Sequence, residues 1–164
     1  MGDGKINSPI MIIGESPGPK EEESNKTFQG ESGELIEKML MAINIKKNEV
    51  YSSYAINFKT PENRKPTSQE IKRYSFFLKE HISIIDPKIV ILFGSTAMES
   101  IIPTKKRFSN ERGKWKEIIV NQKTYKTILT FHPAYLLRQP DQKKYSWNDL
   151  KMIRKRIDEL KISI

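Results

Sequence analysis

Pro9-Ile10-Met11-Ile12-Ile13 runs directly into Gly14-Glu15-Ser16-Pro17-Gly18, and this join governs the reading of the chain. An apolar run closed by a Gly/Pro turn reads as a short buried strand, and loops at the carboxyl ends of such strands are where open α/β sheets carry their chemistry. The two glycines let backbone approach a ligand, Pro17 stiffens the turn, and Glu15 puts a carboxylate at the strand tip. Strand-to-helix turns also use Gly and Pro for geometry alone, so the loop by itself leaves both a site and a simple bend open.

Outward from that join, strands and helices alternate. Val50 to Ile56, Lys88 to Phe93 and Tyr125 to Phe131 read as three further strands. Glu31 to Ile43 carries Leu, Ile and Met at helical spacing with acids early, as a helix N-terminus prefers. Thr67-Ser68-Gln69-Glu70 is a capping signal, Thr67 at the cap and Glu70 at its third position, for a helix running to about Ile85. Ser95 to Ile102 reads as a short helix, and Trp147 to Leu160 places Leu150, Ile153, Ile157 and Leu160 on one stripe. The expectation is one domain over residues 1–164, a three-layer α/β/α sandwich around a central, mainly parallel four-stranded sheet.

A chain of 164 residues can bury a core. Its 29 Lys and Arg against 20 Asp and Glu leave a formal charge of +9, which favours a polyanionic partner, although lysine-rich solvated surfaces are common. No apolar run is long enough to span a bilayer and the N-terminal residues lack a secretory pattern, so a cytoplasmic protein is expected. Cysteine is absent, which excludes disulfides and the thiolate ligands of ordinary iron–sulfur sites. No His/Cys/Asp cluster has metal-ligand spacing, and neither metal nor soluble cofactor is expected.

Near the other end stands Phe131-His132-Pro133-Ala134-Tyr135-Leu136-Leu137-Arg138. It combines a hydrogen-bonding ring, a rigid turn, large apolar side chains and a cation just past a strand. That set suits a loop that grips a nucleotide. Extruding a base from DNA costs about a few kcal/mol, and an enzyme doing so needs something to fill the gap; leucines at a loop tip can serve. The alternative is that His132 ends the strand and the leucines pack in the core.

Six segments carry a family resemblance: GESPGPKEEE, TFQGESGELIEKML, VYSSYAINFKTPENRKPTSQEIKRY, PKIVILFGSTAMESI, RGKW and TFHPAYLLRQP, in that order between Pro9 and about Trp147. In them the chain resembles the uracil-DNA glycosylase superfamily, most closely its family 4, the branch that normally carries an iron–sulfur cluster. The resemblance implies a monofunctional glycosylase of base excision repair that flips uracil out of single- or double-stranded DNA, hydrolyses its N-glycosidic bond and leaves an abasic site, acting as a monomer. His132 would donate a hydrogen bond to uracil O2 and stabilise the leaving anion. Glu15 would orient water or stabilise the oxocarbenium-like sugar. The asparagine of the Asn63-Arg64 pair would be a third catalytic residue. Gly14 and Ser16 would border the base, Phe28 would stack on it beside Gly30 and Gly33, and Glu21, in the same loop, would crowd the place of a thymine methyl. Arg64, Lys65 and Arg138 would contact phosphate, Tyr135 would also meet the DNA, and Leu136 or Leu137 would occupy the gap left by the flipped nucleotide. His81 reads as structural or exposed.

Two departures stand out. The chain ahead of the GESPG loop is too short for the family's first cysteine pair, and Phe58 and Tyr74 occupy the places of the second, so the cluster is expected to be missing. Tyr54 stands where family members usually place an asparagine that reads the base edge. A tyrosine hydroxyl is a single centre on a bulkier ring, whereas the amide offers a donor and an acceptor. Two alternatives follow for the function: a catalytically silent DNA-binding or replication-associated member, or a glycosylase for another deaminated base. For Tyr54 itself the alternative is packing between sheet and helix.

Overall fold

The computed structural model describes residues 1–164 apart from Pro103 and the side chain of Asn63. Among the described residues, β1 (Gly2–Gly4), β2 (Ile10–Gly14), β3 (Tyr51–Tyr54), β4 (Ile89–Phe93), β5 (Trp115–Val120) and β6 (Lys123–Thr130) form one sheet in the order β1-β3-β2-β4-β6-β5. The helices are α1 (Pro19–Ser24), α2 (Gly30–Ala42), α3 (Ser68–Ile85), α4 (Ser95–Ile101), α5 (Phe108–Glu111), α6 (Pro133–Arg138) and α7 (Lys143–Glu159). None of the described helices is long and apolar enough to cross a membrane.

β2 and β4 are unbroken apolar runs because both of their faces are covered. Ile10 and Ile12 enter a core shared with Ile36 and Leu40 of α2 and Leu150, Ile153 and Ile157 of α7. Met11 and Ile13, one residue out of step, enter a second core with Leu78 and Ile82 of α3 and Ala97 and Met98 of α4. The three layers follow from that period of two.

The expected four parallel strands form the middle, β3-β2-β4-β6, but the sheet has six strands and is mixed. β1 pairs antiparallel with β3, and β5 antiparallel with β6. Gly2-Asp3-Gly4 has no apolar pattern; its strand character comes from the edge of β3. β5 and β6 join through Asn121 and Gln122, both at positive φ (49° and 69°), the two-residue primed hairpin turn in which Asn at the first position is the legible sign.

Element ends also shift. The last helix begins at Lys143 rather than Trp147, and Glu21 lies in α1, outside the loop that carries Phe28. The cap of α3 forms as read: the Glu70 N–H donates to Thr67 Oγ1 at 3.2 Å and the Thr67 N–H to Glu70 Oε1 at 2.9 Å.

Candidate active site

All four parallel strands end on one side, and their carboxyl ends carry the chemistry. The backbone of Glu15 is fixed from β3's extension, where Ala55 N–H donates to Gly14 O at 3.0 Å and Ile56 N–H to Glu15 O at 2.9 Å. β4 is followed by Gly94, the residue that caps α4, at φ 96°. A methyl group built there would stand 2.8 Å from Glu15 Oε1 and 3.2 Å from His132 Cβ, so the missing side chain is what allows carboxylate and imidazole to converge. Gly94 went unnoticed in the sequence; its position between the apolar β4 and α4 was the available signal.

The stretch expected to be a loop after β6 is instead α6, with His132 as its cap residue and Pro133 at the first helical position. His132 Nδ1 accepts from the Ala134 N–H at 3.1 Å. That bond assigns the ring: Nδ1 bears the lone pair, leaving Nε2–H as the donor. Burial and the nearby Arg138 cation push the imidazole pKa down to about 4, so the ring is neutral at physiological pH. Burial moves the Glu15 carboxyl the other way, above the usual range, against the pull of Lys65, Arg138 and Thr96. The Thr96 hydroxyl is fully buried beside that carboxyl.

Glu15 and His132 share a cavity of about 540 Å³ with Ser16, Arg64, Lys65, Tyr135 and Arg138, residues read from the sequence, and with Phe108 and Phe131, which were not read as lining it. The mouth is basic, though not uniformly free. Arg64 donates to both Glu70 oxygens, at 2.7 and 3.2 Å, so a phosphate would have to share it. Lys65 Nζ lies 3.4 Å from Ser95 Oγ and has no carboxylate partner among the described ion pairs. Phe131 stacks on Tyr135 at a centroid distance of 4.8 Å and has the Arg112 guanidinium 5.3 Å from its ring centre. Arg112 in turn pairs with Asp149, which also accepts from Thr130 Oγ1 at 2.7 Å. The RGKW segment is thereby tied to the end of β6 two residues before His132.

Other expected residues lie elsewhere. Phe28 and Tyr54 are 4% and 2% exposed, and neither lines the cavity. Their rings meet at 5.0 Å, tilted by 42°, while the Phe28 N–H donates to the Tyr54 hydroxyl at 2.7 Å. Gly14 sits beneath both rings: a methyl there would be 2.8 Å from Phe28 and 3.2 Å from Tyr54. Glu21 engages both oxygens internally, with Gly18 N–H and Gln29 N–H, each at 3.2 Å. Leu136 is 1% exposed and belongs to the core, which removes it from the two leucines read as the wedge; Leu137, 40% exposed, is at the surface. Helical geometry explains the split, because adjacent residues on a helix point about 100° apart. The catalytic reading of Asn63 falls on a side chain outside the described residues. His81 contacts the Tyr51 hydroxyl through Nε2 at 2.7 Å, a structural bond.

An iron–sulfur cluster does not fit these residues. The chain has no cysteine, and Phe58 and Tyr74 fill their positions by packing ring to ring at 5.4 Å.

A family model described as "Uracil DNA glycosylase superfamily" matches residues 1–160. The "Type-4 uracil-DNA glycosylase" of Thermotoga maritima is 32% identical over 139 residues, 84% of this chain and 71% of that protein. The protein of the same name from Sulfurisphaera tokodaii is 32% identical over 161 residues, covering 93% and 72%. A "DNA polymerase" of Bacillus phage SP01 is 31% identical over 153 residues, which are 93% of this chain and 16% of the polymerase.

Proposed function

The chain belongs to the uracil DNA glycosylase superfamily, and from that premise we propose that it hydrolyses the N-glycosidic bond of uracil in DNA, leaving an abasic site. The observation that carries this reading is the pairing of Glu15 with a neutral His132 across Gly94. As the bond to the base breaks, negative charge gathers on uracil and positive charge on the sugar. A neutral imidazole whose proton is confined to Nε2 suits the first need: it donates a hydrogen bond to O2 without surrendering a proton. A carboxylate in a partly dry site suits the second, orienting water and steadying the oxocarbenium-like sugar. Lys65 and Arg138 would hold the phosphates on either side, Leu137 would occupy the space left by the extruded nucleotide, and Asn63 keeps the role implied by the resemblance. Under this reading the protein acts as a one-domain monomer in the cytoplasm and needs no metal.

A second reading has one observation in its favour. Phe28 and Tyr54 close on each other instead of opening on the cavity, which suits a family member that binds DNA without cleaving it. Single-turnover assays on oligonucleotides bearing uracil, hypoxanthine or xanthine, in single strands and mismatches, separate the two. We expect uracil release by the parent, with His132→Ala and Glu15→Ala each slowing it by about a hundredfold or more while DNA binding stays near that of the parent. If the parent binds DNA yet releases no base, the second reading replaces the first.

A further inference from the structure

Phe28 sits at φ 51°, a left-handed backbone conformation that a bulky residue adopts only where its surroundings enforce it. The enforcement comes from side chains of four separate segments. Asp3, on β1, accepts from the Thr27 N–H at 3.3 Å and the Thr27 hydroxyl at 3.4 Å. Tyr54, ending β3, takes the Phe28 N–H at 2.7 Å, and Glu21, on α1, takes the Gln29 N–H at 3.2 Å. The carbonyls are collected by one cation: Lys47 Nζ donates to Thr27 O at 2.7 Å and to Phe28 O at 3.1 Å. Gly33, in the first turn of α2, presses against the same place, since a methyl there would fall 1.8 Å from Phe28 O.

Lys47 reaches the loop from outside the reaction cavity. Together with Asp3, Lys26 and Glu37 it lines a separate recess of about 460 Å³, apart from the cavity that holds Glu15 and His132. Burial lowers its pKa, with Asp3, Glu37 and Glu21 opposing that shift. An ammonium is suited to this task because its three donors radiate from one atom and can satisfy two successive carbonyls.

We propose that Lys47 is a positioning residue for the reaction: with Asp3 it locks Thr27–Gln29 in the single backbone conformation that seats the Phe28 ring against Gly14, the residue that precedes Glu15. The inference rests on the glycosylase reading above. Removing the ammonium frees the carbonyls, lets φ of Phe28 relax, and unseats the ring on which the entry to the catalytic loop is packed.

The test pairs two measurements on the full chain. Amide hydrogen exchange across residues 26–30 reads the clamp; single-turnover uracil release, set beside affinity for the same oligonucleotide, reads its use. Lys47→Met keeps the apolar stem and drops the donors. We expect faster exchange confined to that segment, cleavage slower by about tenfold or more with affinity changed less than about twofold, and recovery of much of both in Lys47→Arg. Unchanged exchange in folded Lys47→Met overturns the clamp. Faster exchange with parental cleavage overturns its role in the reaction and leaves a purely structural contact. Faster exchange in a protein whose parent releases no uracil removes the glycosylase reading and, with it, the positioning role, while the clamp stands as structure. Should Lys47→Met fail to fold, Asp3→Ala, which removes the acceptor for Thr27, is read by the same measurements against the same outcomes.

Discussion

Glu15 and His132 titrate in opposite senses, and that separates their signatures. His132 at about 4 has already lost its proton wherever Glu15, raised above its ordinary 4.5, is still giving one up. The acid limb of the cleavage profile should therefore belong to Glu15 and lie above pH 4.5; in Glu15→Gln the residual activity should show no such limb. Stability carries the same information. With its folded pKa depressed from 6.5 to about 4, His132 contributes stability that is complete above pH 6.5 and is lost as pH falls toward 4, at most about 3 kcal/mol. Glu15, raised, works in reverse: its contribution is present below 4.5 and disappears as pH rises through its folded value. Urea midpoints against pH for the parent, Glu15→Gln and His132→Asn should resolve two opposed slopes, and a His132→Asn curve identical to the parent's would refute the buried, neutral ring. Tyr54 is testable alone. Tyr54→Phe leaves a buried Phe28 N–H without its acceptor and should cost about 1–3 kcal/mol of stability. Tyr54 lies off the cavity and packs on Phe28, so an amide at position 54 meets the base only where loss of the ring opens the space above Gly14 to the cavity. With that space open, Tyr54→Asn addresses two atoms of the uracil edge and uracil cleavage should rise by the equivalent of about 1–3 kcal/mol. Equal rates for folded Tyr54→Asn and parent would make Tyr54 a packing residue only.

Among the elements, α6 gives the sharpest contrast, because neighbouring leucines have different fates. Leu136→Ala should destabilise the fold by about 2–5 kcal/mol, as loss of a packed core leucine does. Leu137→Ala should leave the melting temperature near that of the parent and slow cleavage in duplex more than in single strands, where no stack has to be propped open. Equal losses on both substrates would deny Leu137 the wedge role. The contrast also marks how far local reading reaches. The cap at Thr67 and Glu70 was legible because its partners lie three residues apart; β2 and β4 were legible because unbroken apolar runs between turn signals have few other uses. Whether Leu136 faces water was not, since it depends on α6 being a helix rather than a loop. β1 was invisible for a different reason: three residues with no core-facing pattern become a strand only through Tyr51–Ser53. In β5, Ile118 and Val120 are buried but Ile119 is 72% exposed, and the charged Lys116-Glu117 pair hides the alternation.

For the whole molecule, the +9 charge and the cations at the cavity mouth should make DNA affinity fall steeply with salt, log K declining by about 0.7–0.9 per phosphate neutralised for each tenfold rise in salt. Arg138→Ala should shallow that slope more than Arg64→Ala, because Arg64 already answers to Glu70. A flat response would dismiss the electrostatic part of the proposal. The purified protein should also be colourless and iron-free; stoichiometric iron with a visible charge-transfer band would contradict the reading of Phe58 and Tyr74. At this scale the parallel centre and the meeting of Glu15 with His132 were legible, because strand ends in such sheets gather on one side. The mutual closure of Phe28 and Tyr54 was not: it joins residues 26 apart through a backbone donor that sequence cannot aim.

The order of the strands has a consequence in time. β2 lies beside β3 and β4, so Ile12 must find Ser52 on one side and Ile91 on the other, while the β5–β6 hairpin joins Val120 to Lys123. The hairpin closes locally, in about microseconds, and the central pairings must first meet the entropy of long loops. On a ribosome, β2 would emerge as a bare apolar ribbon before either neighbour is made. Glu15 would be synthesised more than a hundred residues before its imidazole, and the two would first face each other only when the last parallel strand docks.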